Sequence, residues 1–278
     1  MNRRICSVLL ALLLIPCIVP NGSAAPAEKE PVNILLIGHD REPGDTLSRS
    51  DSIILCTWLP ETGMLSMISF LRDLYLPIPG HGSNRLNAAY AIGGRELLVQ
   101  TLEQNFGVTI EGCVEVDFSQ FAQIIDALDG VELELRQDEA LHINRKCGGS
   151  LTEGLQTLNG QEALAYARIR SLDPDGDFSR TRRQRDMLLS LLRRWKDANT
   201  LALAGTVGKL LPLVSTDLDP ARILHWVFSM APSMGALRVQ SLQLPFPGTF
   251  SEEIVNGMAV LVPDIAANRK KLQEKLFG

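Results

Sequence analysis

Short apolar runs of strand character, alternating with amphipathic helical stretches, are what most constrain the fold of this chain. Val32–Ile37 is apolar almost throughout and stops at Gly38. A strand with no polar face is buried on both sides, so it needs layers above and below it. Ser52–Trp58 reads as a second strand. The turn Pro60-Glu61-Thr62-Gly63 leads into a third, Met64–Phe70, so the second and third form a hairpin. Cys113–Val116, Val131–Leu135, Leu237–Leu244 and Met258–Val262 are further strands. Helical patterns cover Arg95–Phe106, Phe118–Leu128, Asn159–Ala167, Ser179–Asp197 and Asp264–Phe277, with two more between residues 198 and 236, the second opening at Asp219-Pro220. Residues 72–84 are rich in Pro and Gly and read as a long loop. The alternation implies an α/β sandwich with helices on both faces of the sheet, and the hairpin makes that sheet mixed.

The first 25 residues read as an export segment. Arg3 and Arg4 precede the apolar run Ile5–Val19, and Ser23-Ala24-Ala25 resembles a cleavage site. A spanning helix needs about 20 apolar residues, which favours a cleaved signal over a short retained anchor. Either way residues 26–278 are expected to lie outside the cytoplasm. Net charge is −5, and −7 without the leader's two arginines. That acidity argues against broad nucleic-acid binding. Cys56 and Cys113 fall in strand-like runs and read as core residues. Cys147, beside two glycines, reads as exposed.

Against that acidic background, Tyr166–Arg185 holds six arginines and no lysine. Arginine's planar fork grips phosphate oxygens two at a time. At about 100° per residue, the stripe of Met187, Leu188, Leu191 and Trp195 projects back onto Arg180, Arg183 and Gln184, while Arg182, Arg185 and Asp186 fall on the other side. A buried arginine needs either a carboxylate or a bound anion. Pairing with Asp173, Asp175 or Asp177 accounts for the pattern as well as an anion pocket does. Arg168 and Arg170 lie two apart and share a direction if that segment is extended. DPDGD fails the calcium-loop pattern, since Phe178 and Gln184 stand where Gly and Glu belong. Asp40 and Asp51 flank strand ends and are better metal candidates, because magnesium takes only one or two protein carboxylates. Taken alone, they read more simply as a turn cap at Asp40 and an Arg49–Asp51 pair.

The segments GHDR, RSDS, SFLRD, RLNAAY, DFSQF, LNGQEALAYARIR and DFSRTRRQ occur in this order. Together they resemble the LytR–CpsA–Psr family of cell-wall enzymes, and VLVPDIAANRKKL is similar to that family's C-terminal end. The resemblance implies a three-layer α/β/α sandwich and one catalytic domain over residues 26–278 with a C-terminal strand–helix extension. It implies transfer of an anionic glycopolymer from a polyprenyl-pyrophosphate carrier at the membrane surface to a peptidoglycan hydroxyl. By motif match, Asp40 and Asp51 would be the Mg2+ carboxylates and, with Arg72 and Arg180, catalytic. Arg49, Arg72, Arg168, Arg170 and Arg180 would grip the pyrophosphate, and Gln184 would complete the site. Arg85 and Asp73 also sit in matching motifs. A polyprenyl-diphosphate hydrolase and a non-catalytic lipid-phosphate binder are the alternatives.

Overall fold

The computed structural model describes residues 30–40, 49–195 and 209–277. The leader, residues 41–48 and most of the helical stretch expected after residue 198 lie outside these. In chain order the strands are β1 (Val32–His39), β2 (Ser50–Leu59), β3 (Met64–Phe70), β4 (Tyr75–Ile78), β5 (Gly82–Arg85), β6 (Gly112–Asp117), β7 (Val131–Leu135), β8 (Gly154–Leu158), β9 (Ser215–Thr216), β10 (Arg238–Leu244), β11 (Phe250–Val255) and β12 (Met258–Pro263). The helices are α1 (Leu86–Phe106), α2 (Phe118–Ala127), α3 (Gln137–Cys147), α4 (Gly160–Ala167), α5 (Asp177–Trp195), α6 (Pro220–Met230) and α7 (Ile265–Phe277). The described chain divides into two compact units.

One unit comprises Pro31–Trp58, Leu65–Asp117 and the chain from Gln240 onward. Its sheet runs β10-β3-β2-β1-β6. β1 pairs antiparallel with β2 and parallel with β6, so the sheet is mixed, as the sequence implies. Ile34, Leu35, Ile37, Ile53, Leu55, Ile68 and Phe70 are fully buried and form its core. Truncating any of these leucines or isoleucines to alanine costs about 2–5 kcal/mol. Cys56 and Cys113 are buried, as expected. Burial pushes the Cys56 thiol up to about 12, so it packs as an apolar group. The expected loop over residues 72–84 instead contains the hairpin β4–β5. Helix α1 begins nine residues before the expected start at Arg95. Non-helical backbone at Gly93 and Gly94 breaks it, Gly94 with φ of 64°. Sequence periodicity restarts after that break, so only the second half was legible.

The other unit contains Leu59–Met64 and Phe118–Val239. The hairpin β7–β8 packs against α5 and α4, and α4 packs in turn against α2 and α3. α3, β8 and, in the first unit, β11 were not expected from sequence. α4 opens with a capping box: the Asn159 side chain accepts from the Glu162 amide at 3.0 Å, and Glu162 accepts from the Asn159 amide at 2.9 Å. Cys147 is exposed, as expected. No helix among the described residues is long and apolar enough to cross a membrane.

Candidate functional site

The sequence-selected residues form two clusters, one in each unit. In the first unit, β1 and β6 are parallel and their C-terminal ends align, His39 opposite Asp117. β2 starts at the same edge. Its register skips there: Gly38 faces Ser52 and His39 faces Ser50, with Asp51 between them on β2. Asp51 is the extra residue of a β-bulge, a device that re-aims a side chain. Asp40 is exposed and accepts the Arg49 amide at 3.0 Å. Asp117, which the sequence reading did not select, shares this edge. The signal for it was present: an aspartate closing an apolar strand, as Asp40 does.

Asp51 accepts a hydrogen bond from Arg72 at 2.5 Å. The Arg72 Nε also lies 3.6 Å from Asp73, and Asp73 lies 3.5 Å from the Arg85 Nε. The Arg85 guanidinium donates to the Ala259 carbonyl at 2.5 Å. These four side chains alternate in sign, and each retains between a fifth and a quarter of its exposure. They are anchored yet open to solvent, which suits charged groups that must meet a ligand.

In the second unit, Asp177 opens α5 and grips Arg180 with both oxygens, at 2.8 and 2.9 Å. Arg170 approaches the same carboxylate at 3.7 Å. The Arg180 side chain is 2% exposed. The exposed Arg168 lays its guanidinium 4.4 Å from the centre of the Phe118 ring. The Gln184 amide lies 3.5 Å from the Ala167 carbonyl, which ties α5 to the segment carrying Arg168 and Arg170.

Arg183 has a different role. Its Nε donates to Glu139 at 2.8 Å and its terminal nitrogen bonds Asp173, which also accepts from Arg136 at 2.8 Å. This is the structural network the sequence left open. Burial opposes ionisation of Asp173, but the hydrogen bonds from Arg136 and Arg183 overcome it and hold its carboxyl below the usual range. Arg182 is exposed, as expected. Arg185 is not: it is 5% exposed, and burial lowers its pKa to about 10. The correction has a simple cause. α5 packs against both β7 and α4, so its buried arc is wider than its apolar stripe.

A model of the LytR_cpsA_psr family matches residues 19–276. The regulatory protein MsrR of Staphylococcus aureus (strain COL) is 35% identical over 228 residues, covering 81% of this chain and 68% of that protein. The polyisoprenyl-teichoic acid–peptidoglycan teichoic acid transferase TagU of Bacillus cereus (strain AH820) is 33% identical over 255 residues, 90% of this chain and 79% of TagU. TagT is similar in two solved structures. Bound to LIIa-WTA it has a TM-score of 0.72 and 29% identity, over 89% of this chain and 91% of TagT. With bound octaprenyl pyrophosphate lipid it has a TM-score of 0.68 and 26% identity, over 99% and 98%.

Proposed function

Because the chain belongs to the LytR_cpsA_psr family, we propose that it is an extracytoplasmic phosphotransferase that moves an anionic glycopolymer from a polyprenyl-pyrophosphate carrier to a peptidoglycan sugar hydroxyl. The TagU name and the lipid bound to TagT support this reading at the level of relatives. In this chain the observation that carries it is the set of arginines already clamped by carboxylates. Arg72 is held by Asp51, and Arg180 and Arg170 by Asp177. A guanidinium fixed in this way loses little freedom when phosphate oxygens arrive.

Phosphoryl transfer asks for positioning and for charge opposite the non-bridging oxygens, and it needs no serine or cysteine nucleophile. Arg49, Arg72 and Arg85 supply cationic groups in the first unit, and Arg168, Arg170 and Arg180 do so in the second, where Gln184 steadies the segment that carries Arg168 and Arg170. The attacking sugar hydroxyl gives its proton to a carboxylate at the sheet edge, of which Asp40 is exposed. Asp40 and Asp51 would hold a magnesium ion, which supplies neutralising charge at the phosphate oxygens. The fit is to a minimal site: among the described residues no group of three or more His, Cys, Asp or Glu is arranged around a metal. One or two carboxylates suffice when water and phosphate complete the octahedron.

The test is incubation of the protein with a polyprenyl-pyrophosphate-linked oligosaccharide, peptidoglycan and magnesium. Release of polyprenyl monophosphate with sugar joined to peptidoglycan is the expected result. Release with free sugar phosphate would make it a hydrolase. Binding without release would make it a regulatory binder.

A further inference from the structure

Arg168 is held differently from the arginines near it in sequence. Arg170 and Arg180 share the Asp177 carboxylate, and Arg183 spends its nitrogens on Glu139 and Asp173. The Arg168 guanidinium makes no hydrogen bond or ion pair with any described residue. It lies instead over the Phe118 ring, 4.4 Å from the ring centre. The face of a benzene ring is negative, so it attracts a cation without supplying a lone-pair acceptor. The contact therefore restrains the head group and leaves its N–H donors open to an incoming anion. That restraint matters because Arg168 is exposed. A solvated arginine samples many rotamers, and ordering it on binding costs affinity.

The ring is itself fixed by the packing of two helices. Phe118 is half-buried and opens α2, and Arg168 directly follows α4. At the other end of α4, the Gly160 amide donates to Asp126 at 2.7 Å, and a Cβ on Gly160 would press on the Ala122 carbonyl. The start of α4 thus meets the middle and end of α2, and the end of α4 meets its start. The two helices are antiparallel, and their register is set from both ends. The chain around Arg168 is anchored as well. Ile169 is fully buried, and the Ala167 carbonyl lies 3.5 Å from the Gln184 amide. Backbone and head group are both held, the one by packing and the other by the ring.

We propose that Phe118 is a positioning residue, whose ring face holds the Arg168 guanidinium so that its N–H fork meets the phosphate oxygens of the lipid carrier. This rests on the phosphotransferase reading above, in which Arg168 grips the pyrophosphate, and adds to it a side chain that need not touch the substrate. Arg168 then differs in kind from Arg170 and Arg180. Those two share a carboxylate that offsets part of their charge. Arg168 brings a charge with which no described carboxylate pairs, steadied by an apolar group.

The experiment is a double-mutant cycle, titrated by calorimetry with a short-chain polyprenyl pyrophosphate and, separately, with inorganic pyrophosphate. Phe118→Leu keeps an apolar side chain and removes the ring. It should weaken binding of both probes about two- to fivefold, the scale of an exposed cation–π contact. Phe118→Tyr keeps the ring face and should bind as wild type does. Arg168→Gln should weaken binding about tenfold, and in that background Phe118→Leu should cost nothing further, because the two side chains act as a unit. Where Phe118→Leu lowers the thermal midpoint, pentafluorophenylalanine at position 118 keeps the ring's shape, removes its negative face and should reproduce the loss. Equal losses from Phe118→Leu with and without Arg168, or a fluorinated ring that binds like wild type, would overturn the proposal. Coupled losses for inorganic pyrophosphate with no binding of the lipid would keep Phe118 in its role and count against the phosphotransferase reading. A wild type that binds neither probe overturns both.

Discussion

Arg180 and Arg183 lie three residues apart on α5, both are buried, and both are neutralised, yet they answer to different selective needs. Arg183 is enclosed by Glu139 and Asp173 and knits α3, the segment after α4, and α5 together. Asp173 reports on that network through pH. Its folded pKa lies below its unfolded value, so its stabilisation is present above the unfolded value of about 4 and is lost as pH falls through the folded pKa. Asp173→Asn should flatten this acid limb and cost about 3–5 kcal/mol at neutral pH, because Arg183 is left buried with half its partners. Thermal melts at pH 3 to 7 check both. Arg180 shares Asp177 with Arg170 instead. Arg180→Ala should weaken binding of a short polyprenyl pyrophosphate about tenfold to a hundredfold, the value of roughly 1.5–3 kcal/mol for a charged hydrogen bond. Arg182, 56% exposed, should change stability by at most about 0.5 kcal/mol on truncation and leave binding intact. Titrating both variants decides it: equal losses would mean a diffuse basic patch.

At the scale of elements, the fold holds its clusters in place through a few close approaches. At Gly160, the first residue of α4, an added Cβ would fall 2.1 Å from the Ala122 carbonyl oxygen, and its amide donates to Asp126 at 2.7 Å. Gly160→Ala should therefore push α2 from α4 and destabilise by about 1–3 kcal/mol, measurable by urea unfolding. Such constraints are what the sequence leaves unread. The buried strands β1, β2 and β3 were legible because their apolar runs have no polar face. β8 and β11 were not, since few of their side chains are buried and their pairing comes from the neighbouring strand. The same division applies to the candidate site. Asp40 and Arg180 stand out by position and residue type, whereas Arg72 enters only through the family resemblance. The bulge at Asp51 is a property of register, which no local pattern encodes, and Asp117 joins that edge through the parallel pairing of β1 with β6. Arg185 was misassigned because an apolar stripe marks the centre of a buried arc and not its width.

For the molecule as a whole, the question is what a metal would contribute to it. The cores of both units are built from apolar side chains, and among the described residues no cluster of three or more potential ligands draws separate segments together around an ion. Magnesium, if held by Asp40 and Asp51, would therefore belong to the substrate complex and not to the fold. This differs from a structural metal site, where ion binding is folding energy and chelation denatures the chain. Chelation with EDTA should abolish polyprenyl monophosphate release and leave the thermal midpoint within about 2 °C, a shift that for a chain of this size corresponds to under about 1 kcal/mol. Added magnesium should restore full turnover. Asp51→Ala should mimic chelation: activity gone, midpoint nearly unchanged, and no rescue by excess magnesium. The decisive pairing is calorimetry alongside the transfer assay on the same samples. A midpoint that collapses on chelation would show that the ion holds the structure together, and an Asp51→Ala variant with full magnesium-dependent turnover would remove Asp51 from the reaction.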